Sequence, residues 1–223
     1  MFFRKKRKEE ISYYNSNRIK EKRICLNGKL EGEYVSYYEN GQILAKLNFR
    51  NGLREGEAVS YYKDGKNREK GTFKNDKLVG EYISYYENGQ VREREDYNEN
   101  GELDGKYILY YKNGRIKNEE NFKGGKFDSE YVSYYRDGQI KEKGSFKDDK
   151  RDGEYISYYK EGYIKEEAKY KDGELDGKFI SYAEDGRILK EYSGLTPFDE
   201  DETGDKEKMY DDLLRRLSDF DDE

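Results

Sequence analysis

The sequence predicts an all-β chain, an elongated single sheet of about eight 24-residue β-hairpin units followed by a short C-terminal helix. Three observations predict it. Tyrosine pairs recur at Tyr13-Tyr14, Tyr37-Tyr38, Tyr61-Tyr62, Tyr85-Tyr86, Tyr110-Tyr111, Tyr134-Tyr135 and Tyr158-Tyr159, with Tyr182-Ala183 as an eighth; they are spaced 24, 24, 24, 25, 24, 24 and 24 residues apart. A fixed period of this length marks a repeat array. Four residues after each first tyrosine stands Gly41, Gly65, Gly89, Gly114, Gly138, Gly162 or Gly186, with Asn17 in the first unit. These are the residue types that tolerate positive φ, so each position reads as a turn. A Val or Ile lies two residues before every pair, from Ile11 to Ile180, as strands favour. Two to three glycines per unit would each cost ~1 kcal/mol in a helix, which argues against a helical repeat.

Taken in order, residues 1–10 form a basic arm, FFRKKRK, expected to be a solvated end or to pair with acidic residues further on. Residues 11–195 are the repeat domain. Each unit opens with a strand of the type E-Y-I-S-Y-Y. Asn-Gly or Asp-Gly follows in six of seven units, which predicts a two-residue type I′ hairpin turn. The second strand begins at Ile43, Val91, Ile116, Ile140, Ile164 or Ile188, with Asn67 as the exception. It runs to an aromatic residue: Phe49, Phe73, Tyr97, Phe122, Phe146 or Tyr170, with Cys25 as a small apolar filler in the first unit. A longer turn carries Gly28, Gly52, Gly101, Gly125 or Gly173, and then Gly32, Gly56, Gly80, Gly105, Gly153 or Gly177. The one extra residue of the array falls in this turn, within YNENGELDG at 97–105. Sixteen strands at ~4.8 Å would extend roughly 75 Å. A lone hairpin is marginal in water, so the first tyrosines Tyr37, Tyr61, Tyr85, Tyr110, Tyr134, Tyr158 and Tyr182 are expected to build a structural ladder between units.

Residues 196–208 read as an acidic linker and 209–220 as an amphipathic helix, with Met209, Leu213, Leu214, Leu217 and Phe220 at helical spacing, serving as a cap or a docking segment. Residues 199–223 hold a net −8 against −6 for the whole chain, which leaves +2 for residues 1–198.

Composition excludes much chemistry. There is no histidine and a single cysteine, which removes a Ser/His/Asp triad, a Cys/His pair and an intramolecular disulfide. Glu33, Glu57, Glu81, Glu130 and Glu154 occupy one repeated slot, whereas a catalytic site is singular. No enzyme activity, cofactor or metal is expected. The near-neutral array gives no basic stripe of the kind nucleic acid requires. Neither an export signal nor an apolar span is seen in the chain as given, so a cytoplasmic protein is expected.

GEYVSYYENGQI, GEYISYYENGQV, GKYILYYKNGRI and GEYISYYKEGYI resemble the bacterial variant of the MORN repeat, over residues 11 to about 192. The resemblance implies a β-hairpin array that binds proteins. More narrowly it implies a likeness to the YwqK-type antitoxin or immunity proteins, taken to neutralise a cognate toxin. Peripheral association with anionic lipid is the second reading. Conforming positions carry structure first, so the candidate partner-binding residues are the departures Arg54, Asn67, Arg151 and Tyr163, together with Leu213, Leu217 and Phe220.

Overall fold

The computed structural model describes residues 6–193. They form a single antiparallel open sheet of 18 strands, from Arg7–Tyr13 to Ile188–Ser193, with no helix among the described residues. Apart from two interrupted strands, each strand pairs with the next along the chain, so the path is a continuous meander of eight hairpins. Eighteen strands arise from sixteen paths because two are interrupted, at Leu53–Arg54 and Gly56–Tyr61 and at Lys126–Phe127 and Ser129–Tyr134. The expected helix at 209–220 lies outside the described residues.

The two turns exchange the roles expected of them. After the tyrosine pair, the Tyr38 carbonyl accepts from the Gly41 N–H (2.9 Å), and the Tyr38 N–H donates to the Gln42 carbonyl (2.8 Å). Gly41 has φ 90°, while Glu39 and Asn40 keep negative φ. This is a three-residue loop, a type I turn closed by a glycine bulge, and the type I′ expectation is corrected. Asparagine here serves through its side chain instead, accepting from the N–H two residues on, as Asn40 Oδ1 does from Gln42 (3.0 Å). All seven glycines of this series have φ between 81° and 95°.

The true two-residue turns lie at the other edge. Leu26 faces Lys29 across Asn27 and Gly28, whose φ values are 52° and 82°. Two adjacent positive φ values define type I′, and Asn51-Gly52, Gly124-Gly125 and Asp172-Gly173 repeat it. Gly32 is not part of the turn. It lies inside the strand Lys29–Tyr37 at φ 89°, where residues 31–33 bulge opposite Ile24 alone.

Two hydrogen-bond series tie neighbouring units. At the tyrosine edge, the second tyrosine hydroxyl donates to the first tyrosine's carbonyl in the next unit. The bonds run Tyr14 to Tyr37, Tyr38 to Tyr61, Tyr62 to Tyr85, Tyr86 to Tyr110, Tyr111 to Tyr134, Tyr135 to Tyr158 and Tyr159 to Tyr182, at 2.5–2.7 Å. The first tyrosines therefore enter this ladder through their backbone. Position 183, which has no described unit beyond it, is alanine. At the opposite edge, a turn N–H donates to a carbonyl of the preceding unit: Gly52 to Leu30, Asp76 to Arg54, Gly125 to Leu103, Asp149 to Phe127 and Gly173 to Arg151. The series skips Gly101. The extra residue there enlarges the turn to the three-residue type, and the Gly101 N–H bonds the Asn98 carbonyl within its own loop (3.0 Å).

Candidate functional site

Strand alternation sends residues 82, 84 and 86, and their equivalents, to one face, and almost all the burial is there. Every buried side chain except Val35 belongs to it, including Ala58, Ser84, Leu109, Tyr131, Phe146, Tyr155 and Tyr170. At its C-terminal end Tyr131, Phe146, Tyr155, Ala168 and Tyr170 pack with Phe127, Leu175 and Phe179. Phe127 stacks on Phe146 at 4.4 Å and on Phe122 at 5.3 Å. Aromatic area thus replaces the aliphatic core the composition lacks.

Beside these rings runs a polar row set by register: Ser60 faces Glu69, Glu69 faces Ser84, and Ser84 faces Glu93. The Ser84 hydroxyl donates to Glu93 Oε1 (2.9 Å), Arg92 Nε donates to Ser84 Oγ (3.0 Å), and the Arg92 guanidinium pairs with Glu93 (2.8 Å). Glu93 is buried because it is fully paired, as a charge removed from water must be.

One row deeper the middle of the array breaks its own pattern. Glu95 and Glu120 stand where units two, three, six and seven carry Leu47, Gly71, Gly144 and Ala168, and the first and last carry Arg23 and Tyr192. Tyr107 sits between them, opposite Glu95 on one strand and Glu120 on the other. Burial raises the Glu95 pKa against the opposing hydrogen bond from the Tyr97 hydroxyl, and the Glu93 charge adds to the rise. Glu120 is 6% exposed, and among the described residues its only hydrogen-bond contact is a 3.5 Å one from Asn118 Nδ2; burial pushes its pKa up to about 7. The same carboxylates, after burial itself, hold the Tyr107 phenol above its ordinary range. Among the described residues no group of three or more acidic or thiol side chains is placed to hold a metal ion. Sequence reasoning missed this centre because it compared the acids that recur; the signal was two acids in a slot that units two, three, six and seven fill with small or apolar residues.

The residues singled out in the sequence are dispersed. Arg54 pairs with Asp76 (3.0 Å) and lies 4.1 Å over the Phe73 ring. Arg151 lies over the Tyr155 and Tyr170 rings at 4.4 and 5.2 Å. Both occupy the slot of Leu30, Leu78, Leu103 and Leu175, facing an aromatic residue across the strand pair, and their stems and guanidinium planes do the packing of a leucine. Asn67 is exposed at the start of the strand Asn67–Lys74, opposite Tyr61. Tyr163 is 62% exposed. Leu213, Leu217 and Phe220 lie outside the described residues. Tyr163 alone of the described four belongs to a larger exposed apolar group, with Ile140, Ile164, Ile188, Leu189 and Tyr192 on units six to eight.

Comparison with known proteins follows the repeats. The sequence pattern of the family described as the MORN repeat variant matches residues 30–51, 54–75, 78–99, 103–123, 127–148 and 151–172. No curated protein matches the chain. The crystal structure of TcdB2-TccC3-Cdc42 overlaps 84% of this chain and 12% of that one, at 10% identity and a TM-score of 0.22. A protein of unknown function from Bacteroides fragilis overlaps 86% of this chain and 94% of its own, at 8% identity and a TM-score of 0.13. Superpositions this poor carry no argument, and the chain spans a small part of the first. The repeat match does carry one. With six matched segments covering more than half its length, each falling on a hairpin of the sheet, the chain belongs to the MORN repeat variant family, whose repeats are modules for protein or membrane interaction.

Proposed function

We propose that the protein is a non-enzymatic scaffold that binds a partner protein through the apolar surface of units six to eight. The carrying observation is that, among the described residues, six of the nine exposed large apolar side chains lie on residues 140–192, with Tyr163, Leu189 and Ile188 at 62, 60 and 56% exposure. Exposed apolar side chains gathered on neighbouring units of a rigid repeat favour a binding role. Tyrosine anchors such surfaces at low entropic cost. In its narrower form, implied by the family resemblance, the partner is a toxin and the scaffold is the antitoxin that masks it.

The test is co-expression with the toxin-like product of a neighbouring gene, with growth and co-purification as readouts. Wild-type protein restores growth and co-purifies; Tyr163→Asp with Leu189→Asp keeps the fold by circular dichroism and loses both. Equal rescue by that double variant would sink the docking surface. Association with anionic lipid through the basic arm is the competing reading. Co-sedimentation with anionic vesicles that disappears on removing residues 1–8 would favour it.

A further inference from the structure

We propose that Lys117, Ser133 and Lys141 form a binding site for a small tetrahedral oxyanion of the phosphate class, between units five and six. The site adjoins the unit-six end of the apolar docking surface, Lys141 following Ile140 along the strand.

The argument begins with the bulge beside each tyrosine turn. One second-strand residue per unit is extra there: Tyr110 faces Ile116 and Leu109 faces Asn118, which leaves Lys117, while Tyr134 faces Ile140 and Ser133 faces Glu142, which leaves Lys141. In units three and four this place holds arginine, and the arginine is consumed internally. Arg68 Nε donates to Ser60 Oγ (3.3 Å), and Arg92 bonds both Ser84 and Glu93. In units five and six lysine replaces it, and those ties are gone. Neither Lys117 nor Lys141 has a hydrogen-bond or ion-pair partner among the described residues.

The intervening strand supplies an idle donor. Ser133 lies opposite Asn118 on one side and Glu142 on the other, the chain neighbours of the two lysines. Its hydroxyl is buried with no partner, as is that of Ser12 in the first unit, whereas the equivalent Ser60, Ser84 and Ser157 hydroxyls are bonded. The two lysine Cα positions are separated by two strand spacings, roughly 10 Å. Four-carbon stems can close that gap onto one group of oxygens. Lys117 is half-buried; burial and then the Lys141 charge lower its pKa, so the unliganded arrangement carries unrelieved repulsion.

Among the described residues the acids that face the site form no ion pair with either lysine. Glu142 accepts from the Tyr155 hydroxyl (3.2 Å), Glu119 pairs with Lys106 (3.4 Å), and Glu120 is held by burial near half-protonation at neutral pH. Unit five replaces the usual acid and serine of the polar row with Asn118 and Leu109, so no carboxylate there competes for Lys117. Two lysines flanking a hydroxyl, with stems long enough to reach one group of oxygens, suit an anion with two charges and several acceptor oxygens.

Calorimetric titration of the full chain with inorganic phosphate, at constant chloride, tests the assignment. One saturable site per chain is expected, with a thermal midpoint that rises with phosphate. Lys117→Met and Lys141→Met should each weaken binding by at least about tenfold, as loss of a charged hydrogen bond does. Each should also raise the midpoint in the absence of phosphate, because repulsion is removed. Lys165→Met should change neither. Vesicles of phosphatidylcholine with and without phosphatidic acid separate the sources: capture that needs phosphatidic acid and Lys117 points to a lipid phosphate, and calorimetric binding without capture points to free phosphate. An absence of both saturable heat and capture, or binding that survives Lys117→Met with Lys141→Met, would overturn the site. If Lys117→Met fails to fold, Lys117→Arg, which keeps the charge, and the single Lys141→Met carry the comparison.

Discussion

At the scale of the residue, Glu120 is the group whose surroundings diverge most from its chemistry. A carboxyl held at about 7 when folded and at its ordinary value when unfolded binds the proton more tightly in the fold. Its stabilising contribution is complete below pH 4.5 and is lost as the pH rises through 7, on the order of 3 kcal/mol in all. Glu120→Gln should therefore raise stability at pH 8 and leave it unchanged at pH 4, measured by urea unfolding at both values. A parallel gain at both pH values would show that the burial penalty is not one of charge. Arg151 makes the opposite point. Its slot holds leucine elsewhere, so Arg151→Leu should keep stability within ~1.5 kcal/mol, whereas Arg151→Asp, with neither stem nor cation, should lower the melting temperature by several degrees. Departure from a repeat consensus flagged Arg54 and Arg151 in the sequence, but a departure can be absorbed by packing. What distinguishes Glu95 and Glu120 is that they break hydrophobic character in a buried slot, and burial is legible only once the faces of the sheet are known.

At the scale of the element, the hairpin, its period and its strand alternation were legible because they rest on local chemistry: tyrosine, β-branched residues and glycine at fixed offsets. The turn classes were not. Asn-Gly suits a type I′ turn, but the same pair also suits a type I turn closed by glycine, and the register of the flanking strands decides between them. Two measurements follow at this scale. Tyr86→Phe deletes one hydroxyl and one bond between units, and should cost ~1 kcal/mol by denaturant titration without changing the far-ultraviolet spectrum. Deleting Glu99 leaves Asn100-Gly101 as an ordinary two-residue turn between Asn98 and Glu102. It should let the Gly101 N–H reach the Leu78 carbonyl and stabilise the chain by ~1 kcal/mol; a loss of stability would mean that the enlarged loop, with its Lys74–Glu99 ion pair, is itself a structural support.

At the scale of the whole molecule, contacts join only successive hairpins, so stability is expected to add unit by unit. Removing residues 62–85, one full period, should join equivalent positions and give a protein that still folds, with a proportionally smaller denaturant m-value and a modestly lower melting temperature. Complete unfolding of that variant would mean that distant units depend on one another. The overall architecture was readable from periodicity alone because an array of this kind has no long-range pairing to guess. The concentration of burial on one face was less readable, since rings occur on both faces of the alternating strands. The alanine at position 183 has a consequence at this scale. Each of the first seven units both offers a phenol forward and, from the second onward, presents a carbonyl back, so any of them can be copied within the row without interrupting it. The eighth can only receive. Gene duplication could therefore lengthen this protein from inside but not by appending a copy after unit eight, where the junction would lack its bond until a single codon changed alanine to tyrosine.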